Sequence, residues 1–334
     1  MDNSATRGTS MKKIVITGSI AYDYLMSFPG HFSEVIMPDQ LQNISLSFLV
    51  DTMVKQRGGV APNIAYTMAM LGGRPSIMAT AGQDFSEYRA WLEEQGVNTS
   101  AIVDIDDVFT ASFFVTTDLD QNQIASFYTG AMAFANTLTF GEYAPDADLA
   151  TISPNDPRAM QAYIRECKQL GIPYIYDPSQ QTIRLSGEEL YEGLDGCFLL
   201  AVNTYEFHLI QERTGLDRNG VLDLVCGLLI TSGADGSELI IDGQIWHIPV
   251  VPPSKIVEPT GAGDAFRGGL IRGIELGFPW PIAGRMGALA STHVLENIGT
   301  QNHHFTPESF VTRFRQYFDD EGALDVLILP QATG

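Results

Sequence analysis

The stretch of this 334-residue chain best suited to chemistry is a run of small residues ending in an acid, Thr260-Gly261-Ala262-Gly263-Asp264. Glycine lets a backbone turn sharply and approach a ligand closely. Ala265, Phe266, Leu270, Ile271 and Ile274 follow at helical spacing, so a helix is expected from about Ala262. Its first turn would aim free N–H groups and a positive dipole end at an anion. Asp264 stands in that turn, and a carboxylate there can take a proton from a nucleophile while negative charge grows opposite it. An acid in a first turn also commonly caps its own helix, and the residues alone leave both readings open. Two other phosphate loops are excluded. The dinucleotide fingerprint needs a glycine where this chain has Phe266. A Walker loop needs Gly-Lys, and none of Lys12, Lys13, Lys55, Lys168 and Lys255 follows a glycine.

Positioning such a turn takes a scaffold, and its grammar is visible along the chain. Ile14–Ile16 reads as a strand ending at Gly18-Ser19, with Asp23 beyond. Arg57-Gly58-Gly59-Val60-Ala61-Pro62-Asn63 reads as a glycine-rich turn leading into a helix over about 64–71 closed by Gly72-Gly73, with Asn63 at the helix start, where it can cap the helix or meet a hydroxyl. Strands are expected at 77–81, 150–153, 174–176, 198–202 and 228–231, and helices at 86–95, 156–170, 204–212 and 282–295. A hairpin is expected over 238–248 across Asp242-Gly243. Strand, polar turn, helix, repeated, predicts an α/β fold with a mostly parallel sheet and helices on both faces. The polar clusters fall at strand C-terminal ends, where such sheets bind ligands. Two β-rich pieces, about 24–55 with Leu41, Ile44, Leu46, Phe48 and Val50, and about 102–130 with Phe113 and Phe127 on a hairpin, are expected to form a small sheet lying over the site as a lid.

Composition narrows the class. A net charge of −21 argues against nucleic acid or an anionic membrane as the main partner. The apolar runs are shorter than a membrane span, and the one after Met11-Lys12-Lys13 reads as a first strand rather than a signal peptide. Cys167, Cys197 and Cys226 lack Cys-x-x-Cys spacing and fit reduced, mostly buried thiols in the cytoplasm. Residues 1–10 read as a disordered leader or cloning remnant ahead of one α/β domain over 11–334, with Met11 an alternative start. The pair His303-His304 reads as an exposed loop.

The opening stretch resembles the C-terminal signature of the ribokinase-like kinases, the phosphofructokinase-B family. Gly58-Gly59-Val60-Ala61-Pro62-Asn63-Ile64-Ala65 resembles their N-terminal signature. Asn203-Thr204-Tyr205-Glu206 is similar to their Asn-x-x-Glu element, and Thr231-Ser232-Gly233-Ala234-Asp235-Gly236 to their Thr-x-Gly-x-x-Gly. Within the family, Gly18–Asp23, Ser45–Asp51, Ile124–Tyr128 and Asp177–Gln181 look most like bacterial adenosine kinases of actinobacterial type.

The resemblance implies a ribokinase-like fold and ATP- and Mg2+-dependent transfer of a phosphoryl group to the 5'-hydroxyl of adenosine. A sugar kinase of the same mechanism and a non-catalytic nucleoside-binding protein are the alternatives. It implies Asp264 as base, Gly261, Ala262 and Gly263 as the anion hole, and Arg184 as the cation meeting the transferred phosphate. Ser19, Asp23, Gly59, Asn63 and Gln181 would hold the ribose, with Phe113 and Phe127 around the base. Asn203 and Glu206 would serve the ATP phosphates and Mg2+ through water, Thr231, Gly233 and Gly236 the phosphates, and His293 and Asn297 the adenine. Relatives often pair through the lid, which implies a homodimer. One departure is Glu258, where the family commonly has Asp; the extra methylene displaces a carboxylate that in relatives can help hold a monovalent cation such as K+.

Overall fold

The computed structural model describes residues 12–37 and 45–329. The proposed leader, Leu41 and Ile44 lie outside them. The first strand, β1 (Ile14–Thr17), is buried along its whole length. Ile14 and Ile16 point into one apolar cluster with Phe266, Leu270 and Ile271, while Val15 points into another with Tyr163, Ile164 and Cys167. That alternation is the period of two of a strand covered on both faces.

Around β1 run β4 (Ser76–Gly82), β5 (Asn98–Ile105), β8 (Leu149–Ile152), β9 (Tyr174–Tyr176), β10 (Leu199–Asn203), β11 (Gly227–Thr231), β12 (Ser237–Ile241) and β13 (Gln244–Ile248). Their order is β13-β12-β11-β10-β9-β8-β1-β4-β5, with β12 and β13 as the antiparallel end. The α/β reading with a mostly parallel sheet therefore holds. The 156–170 helix forms as Pro157–Leu170, capped by Asp156 and ended by Gly171 in the left-handed region.

The second sheet has the order β3-β2-β6-β7, built from β2 (Ala21–Ser27), β3 (Thr52–Gly58), β6 (Ala111–Thr117) and β7 (Gln123–Tyr128). Its boundaries correct the sequence expectation at two points. Residues 102–105 belong to β5 of the large sheet, because Ala101 and Ile102 are buried against it. Leu46, Phe48 and Val50 form no strand; Phe48 instead closes an aromatic cluster with Phe28 and Phe32 at 5.2 and 5.0 Å. The strand falls on Thr52–Gly58, whose polar, mostly exposed residues carry no apolar alternation. The histidine pair is also split. His303 is buried against Tyr66 at 5.1 Å, and only His304 is exposed. Cys167 and Cys197 are buried, Cys226 is exposed, and all three are free thiols.

Three helices set the distances that matter: Val60–Met70, Ala262–Glu275 and Trp280–Leu295. A Cβ on Gly268 would lie 2.7 Å from the Thr67 Cβ and 2.8 Å from the Ile64 carbonyl oxygen. One on Gly269 would lie 2.6 Å from the Met286 carbonyl oxygen. The helices thus approach to backbone contact only because these positions are bare. Gly268→Ala should lower stability by about 1–3 kcal/mol in urea unfolding through overpacking, although alanine favours the helix by about 1 kcal/mol. An unchanged midpoint would show the contact to be loose.

Candidate active site

Neither helix start is capped by its own N-cap side chain, since both N-caps are glycines; the Val60 N–H donates instead to Ser19 Oγ at 3.3 Å. The 262–275 helix begins at Gly261, whose φ of 81° lies in the left-handed region and whose Cβ would lie 2.7 Å from the Thr300 side chain. The 60–70 helix begins at Gly59, φ 96°, where a Cβ would lie 2.5 Å from the Ser19 carbonyl oxygen. Glycine is required at both. Neither Asp264 nor Asn63 caps its helix. Asn63 Nδ2 donates to Asp264 Oδ2 at 2.8 Å, joining the two helix starts. The capping reading of both residues is therefore set aside.

Asp264 is held among charges. Arg267, one turn on, lies 3.8 Å from it and forms a buried ion pair with Asp177, with Ser179 Oγ at 3.0 Å. Burial pushes the Asp264 carboxyl up to about 6, against the pull of Arg267 and the Asn63 hydrogen bond. Burial works to lower the Arg267 guanidinium, but Asp177, Asp264 and Glu206 outweigh it and hold it above its ordinary value. Asp23 is likewise pushed up to about 6, by burial and then by the nearby charge of Glu258.

Two cavities, each about 380 Å³, meet at this turn. The first lies under the small sheet and is lined by Ser19, Asp23, Gly59, Asn63, Phe113, Phe127, Gly261 and Asp264. Phe113 and Phe127 face each other across β6 and β7. The second is lined by Asn203, Glu206, Thr231, Gly263 and Arg267. Here the Asn-x-x-Glu element is a capping box: Asn203 Oδ1 accepts the Glu206 N–H, and Glu206 Oε2 accepts the Asn203 N–H, both at 2.8 Å. The box fixes both side chains and leaves Glu206 Oε1 for another partner. One carboxylate beside a phosphate cavity suits Mg2+, which is held by one or two carboxylates together with substrate phosphates. Among the described residues no cluster of three or more His, Cys, Asp or Glu forms a self-sufficient metal site.

Several expected residues stand elsewhere. Arg184 is exposed and lines a neighbouring cavity with Ser19, Phe127 and Gln181, but neither of the two cavities that meet at the Asp264 turn. The cation brought to the junction is Arg267, detectable in sequence only as Asp264 plus three on one helix. Gln181 Nε2 donates to the Asn155 carbonyl at 2.7 Å. His293 packs on Phe305 and Phe310 at 4.7 and 6.0 Å, and Asn297 Nδ2 donates to the His293 carbonyl; neither lines the two cavities. Gly233 and Gly236 flank a short turn after β11, where a Gly236 Cβ would lie 2.5 Å from the Ile248 carbonyl oxygen. Glu258 Oε2 accepts the Gly299 N–H at 2.8 Å. Asp177, which the sequence marks only as the head of the Asp177–Gln181 segment, is the buried partner of Arg267 at this junction.

The sequence pattern of the pfkB family carbohydrate kinases matches residues 11–307. The chain belongs to this family. Among pfkB proteins it resembles the nucleoside kinase of Burkholderia thailandensis, whose ligand-free structure superposes with a TM-score of 0.83 at 38% identity, covering 90% of this chain and 99% of that one. The same enzyme in complex with ADP-inosine gives 0.79 at 38% identity, covering 91% and 96%. The nucleoside kinase of Methanothermobacter thermautotrophicus is 29% identical over 91% of this chain and 96% of its own. The pfkB family is one of kinases, so the chain is a phosphotransferase of the nucleoside and sugar class. No helix among the described residues is long and apolar enough to cross a membrane.

The buried carboxylate has a thermodynamic signature. A pKa raised from 3.8 to about 6 favours the protonated folded form. Its contribution to stability is therefore present below about pH 4 and lost as pH rises through about 6. Asp264→Asn should gain about 1–3 kcal/mol on the wild type between about pH 4 and pH 7. Denaturant midpoints across that range test it; a pH-independent difference would contradict the assigned environment.

Proposed function

We propose that this kinase transfers the γ-phosphoryl group of ATP to the 5'-hydroxyl of a purine nucleoside, adenosine among them. The observation that carries the reading is the junction: a carboxylate and an uncapped helix start shared by a cavity under an aromatic-bearing sheet and a cavity framed by phosphate-loop residues. The inosine-bound and ADP-inosine-bound structures of the Burkholderia thailandensis relative support a nucleoside acceptor.

The ribose lies against Asp23, Gly59 and Asn63, with Ser19 bordering it, and the base lies between Phe113 and Phe127, where flat aromatic faces suit a planar ring. Asp264 takes the proton of the attacking hydroxyl. Charge on the moving phosphoryl group meets the N–H groups of Gly261 and Gly263 at the helix start, the Ala262 N–H being donated to the Pro259 carbonyl at 3.2 Å. Arg267, rather than the exposed Arg184, is the cation positioned to meet that charge. Asn203, Glu206 and Thr231 frame the donor phosphates, with Gly233 and Gly236 on the turn after Thr231 rather than in the cavity wall; Glu206 would hold the Mg2+ that accompanies ATP, which would supply further charge neutralisation. The small sheet acts as a lid that keeps water from competing for the phosphoryl group.

A coupled ADP assay over adenosine, inosine, guanosine, ribose and fructose tests the reading. Nucleosides should be used and free sugars used poorly. Asp264→Asn should lose nearly all turnover while still folding. Arg267→Gln should lower kcat more than Arg184→Gln does. The acid limb of kcat/KM should fall near pH 6, where Asp264 titrates. Preference for free sugars, or an Asp264→Asn enzyme of near-normal turnover, would overturn the assignment.

The lid also suits self-association. Its face opposite Asp23 carries Tyr24 stacked on Phe114 at 4.7 Å, with Met53 and Ile124 exposed. Edges and apolar faces of this kind call for cover, and we propose a homodimer through this face. Sedimentation should give a dimer that Phe114→Glu dissociates; a monomeric wild type excludes it.

A further inference from the structure

Behind Asp264 a chain of buried hydrogen bonds runs away from the cavities. Asn63 Nδ2 donates to Asp264 Oδ2 at 2.8 Å. Gln301 Nε2 donates to Asn63 Oδ1 at 2.6 Å and to Tyr88 Oη at 2.6 Å. Tyr88 Oη lies 2.9 Å from Gln301 Oε1 and 3.0 Å from the Gly58 carbonyl oxygen, so its one proton has two acceptors within reach. Asn63, Tyr88 and Gln301 are 5%, 2% and 3% exposed, so water cannot stand in for a missing partner.

The proton order in this chain follows from its ends. An ionised carboxylate and a carbonyl oxygen can only accept. Asn63 must therefore turn its NH2 to Asp264 and its oxygen to Gln301. Gln301 meets the Tyr88 hydroxyl more closely through Nε2, at 2.6 Å, than through Oε1, at 2.9 Å, so the phenol oxygen accepts from Gln301 and its one proton goes to Gly58. A chain with acceptors at both ends needs one member that donates in both directions, and an amide NH2 in the middle meets that need. Gln301 occupies that place.

We propose that Gln301 is a positioning residue for the phosphoryl-transfer base, a double donor that fixes which end of the Asn63 carboxamide meets Asp264. The proposal rests on the reading of Asp264 as that base. Without the two donors Asn63 is free to turn over and set its oxygen against the carboxylate, which disfavours the ionised form that accepts a proton. The other charged groups acting on Asp264 are Arg267 from its own helix, Asp177 at the end of β9 and Glu206 from the Thr204–Thr214 helix. All three act from outside the chain of bonds, so changes at Gln301 leave them in place.

The test compares Gln301→Glu, which only accepts when ionised, and Gln301→Met, which neither donates nor accepts strongly, with Tyr88→Phe as a milder third. In Gln301→Glu the acid limb of kcat/KM should move up by about one pH unit, with kcat down roughly tenfold, while ADP affinity by calorimetry stays within about twofold. Gln301→Met and Tyr88→Phe should move the limb in the same direction by less. If Gln301→Glu fails to fold, Tyr88→Phe carries the test. A limb that stays in place in every folded variant, with activity falling only as folded protein is lost, overturns the proposal and leaves Gln301 structural. Carboxylate 13C NMR titration of Asp264, assigned by its absence in Asp264→Asn, reads the same shift without turnover. It thus separates failure here from failure of the catalytic reading: an active Asp264→Asn enzyme sinks the base, whereas an unmoved Asp264 titration in Gln301→Glu sinks the positioning role.

Discussion

The site depends on a backbone contact between two helices. Asp264 and Asn63 stand 201 residues apart, and they reach hydrogen-bond distance because Gly268 sits against Thr67 and Ile64 with no side chain between. Gly269 and Gly287 bring the third helix equally close, against Met286 and Phe266. A methyl group at any of these points would part the helix starts, and with them the cavities that share the turn. The arrangement rests on what is left out of the packing as much as on what fills it.

That closeness takes charge out of water. Asp264, Arg267 and Asp177 lie in one buried cluster, where each charge is tolerable only because the others oppose it. A carboxylate in this setting is a poorer stabiliser of the fold than an exposed one. It titrates nearer to neutrality and can hold or release a proton at the pH where a base must work. The capping box of Asn203 and Glu206 behaves differently: it uses local hydrogen bonds to stiffen the neighbouring cavity and leaves one carboxylate oxygen uncommitted.

Much of this was legible in the sequence, for physical reasons. Buried parallel strands announce themselves as apolar runs, and helix starts as glycines ahead of amphipathic spacing, so β9 was placed at its observed bounds and the Asp264 helix from Ala262. The resemblance to the ribokinase-like kinases implies that Asp264, Asn63, Asp23, Phe113 and Phe127 share one site, and all five line the same cavity. What escaped lacked a one-dimensional trace. Thr52–Gly58 is polar along most of its length, so its pairing with β2 left no alternation to see. Arg267 and Arg184 are both single cations near small residues, and only burial beside Asp177 separates them. Gln301 follows an unremarkable Gly-Thr, and its importance comes wholly from the carbonyl and carboxylate that flank its partners. His303 looked like half of an exposed pair until Tyr66 and Phe305 closed over it.

The two walls of the cavity under the small sheet differ in how much change they admit. On one side, Gly59 and Gly261 are hemmed in by Ser19 and Thr300, and no larger residue fits without moving a helix start. On the other, Phe127 projects from β7, which is exposed along its whole length, and Phe113 is only half-buried, so a ring can be exchanged there at little cost to the core. Variation over generations is thereby channelled. Descendants of this scaffold can trial new acceptors one lid side chain at a time while the chemistry beneath is inherited unaltered, and redesign for an unnatural acceptor has the same natural place to begin.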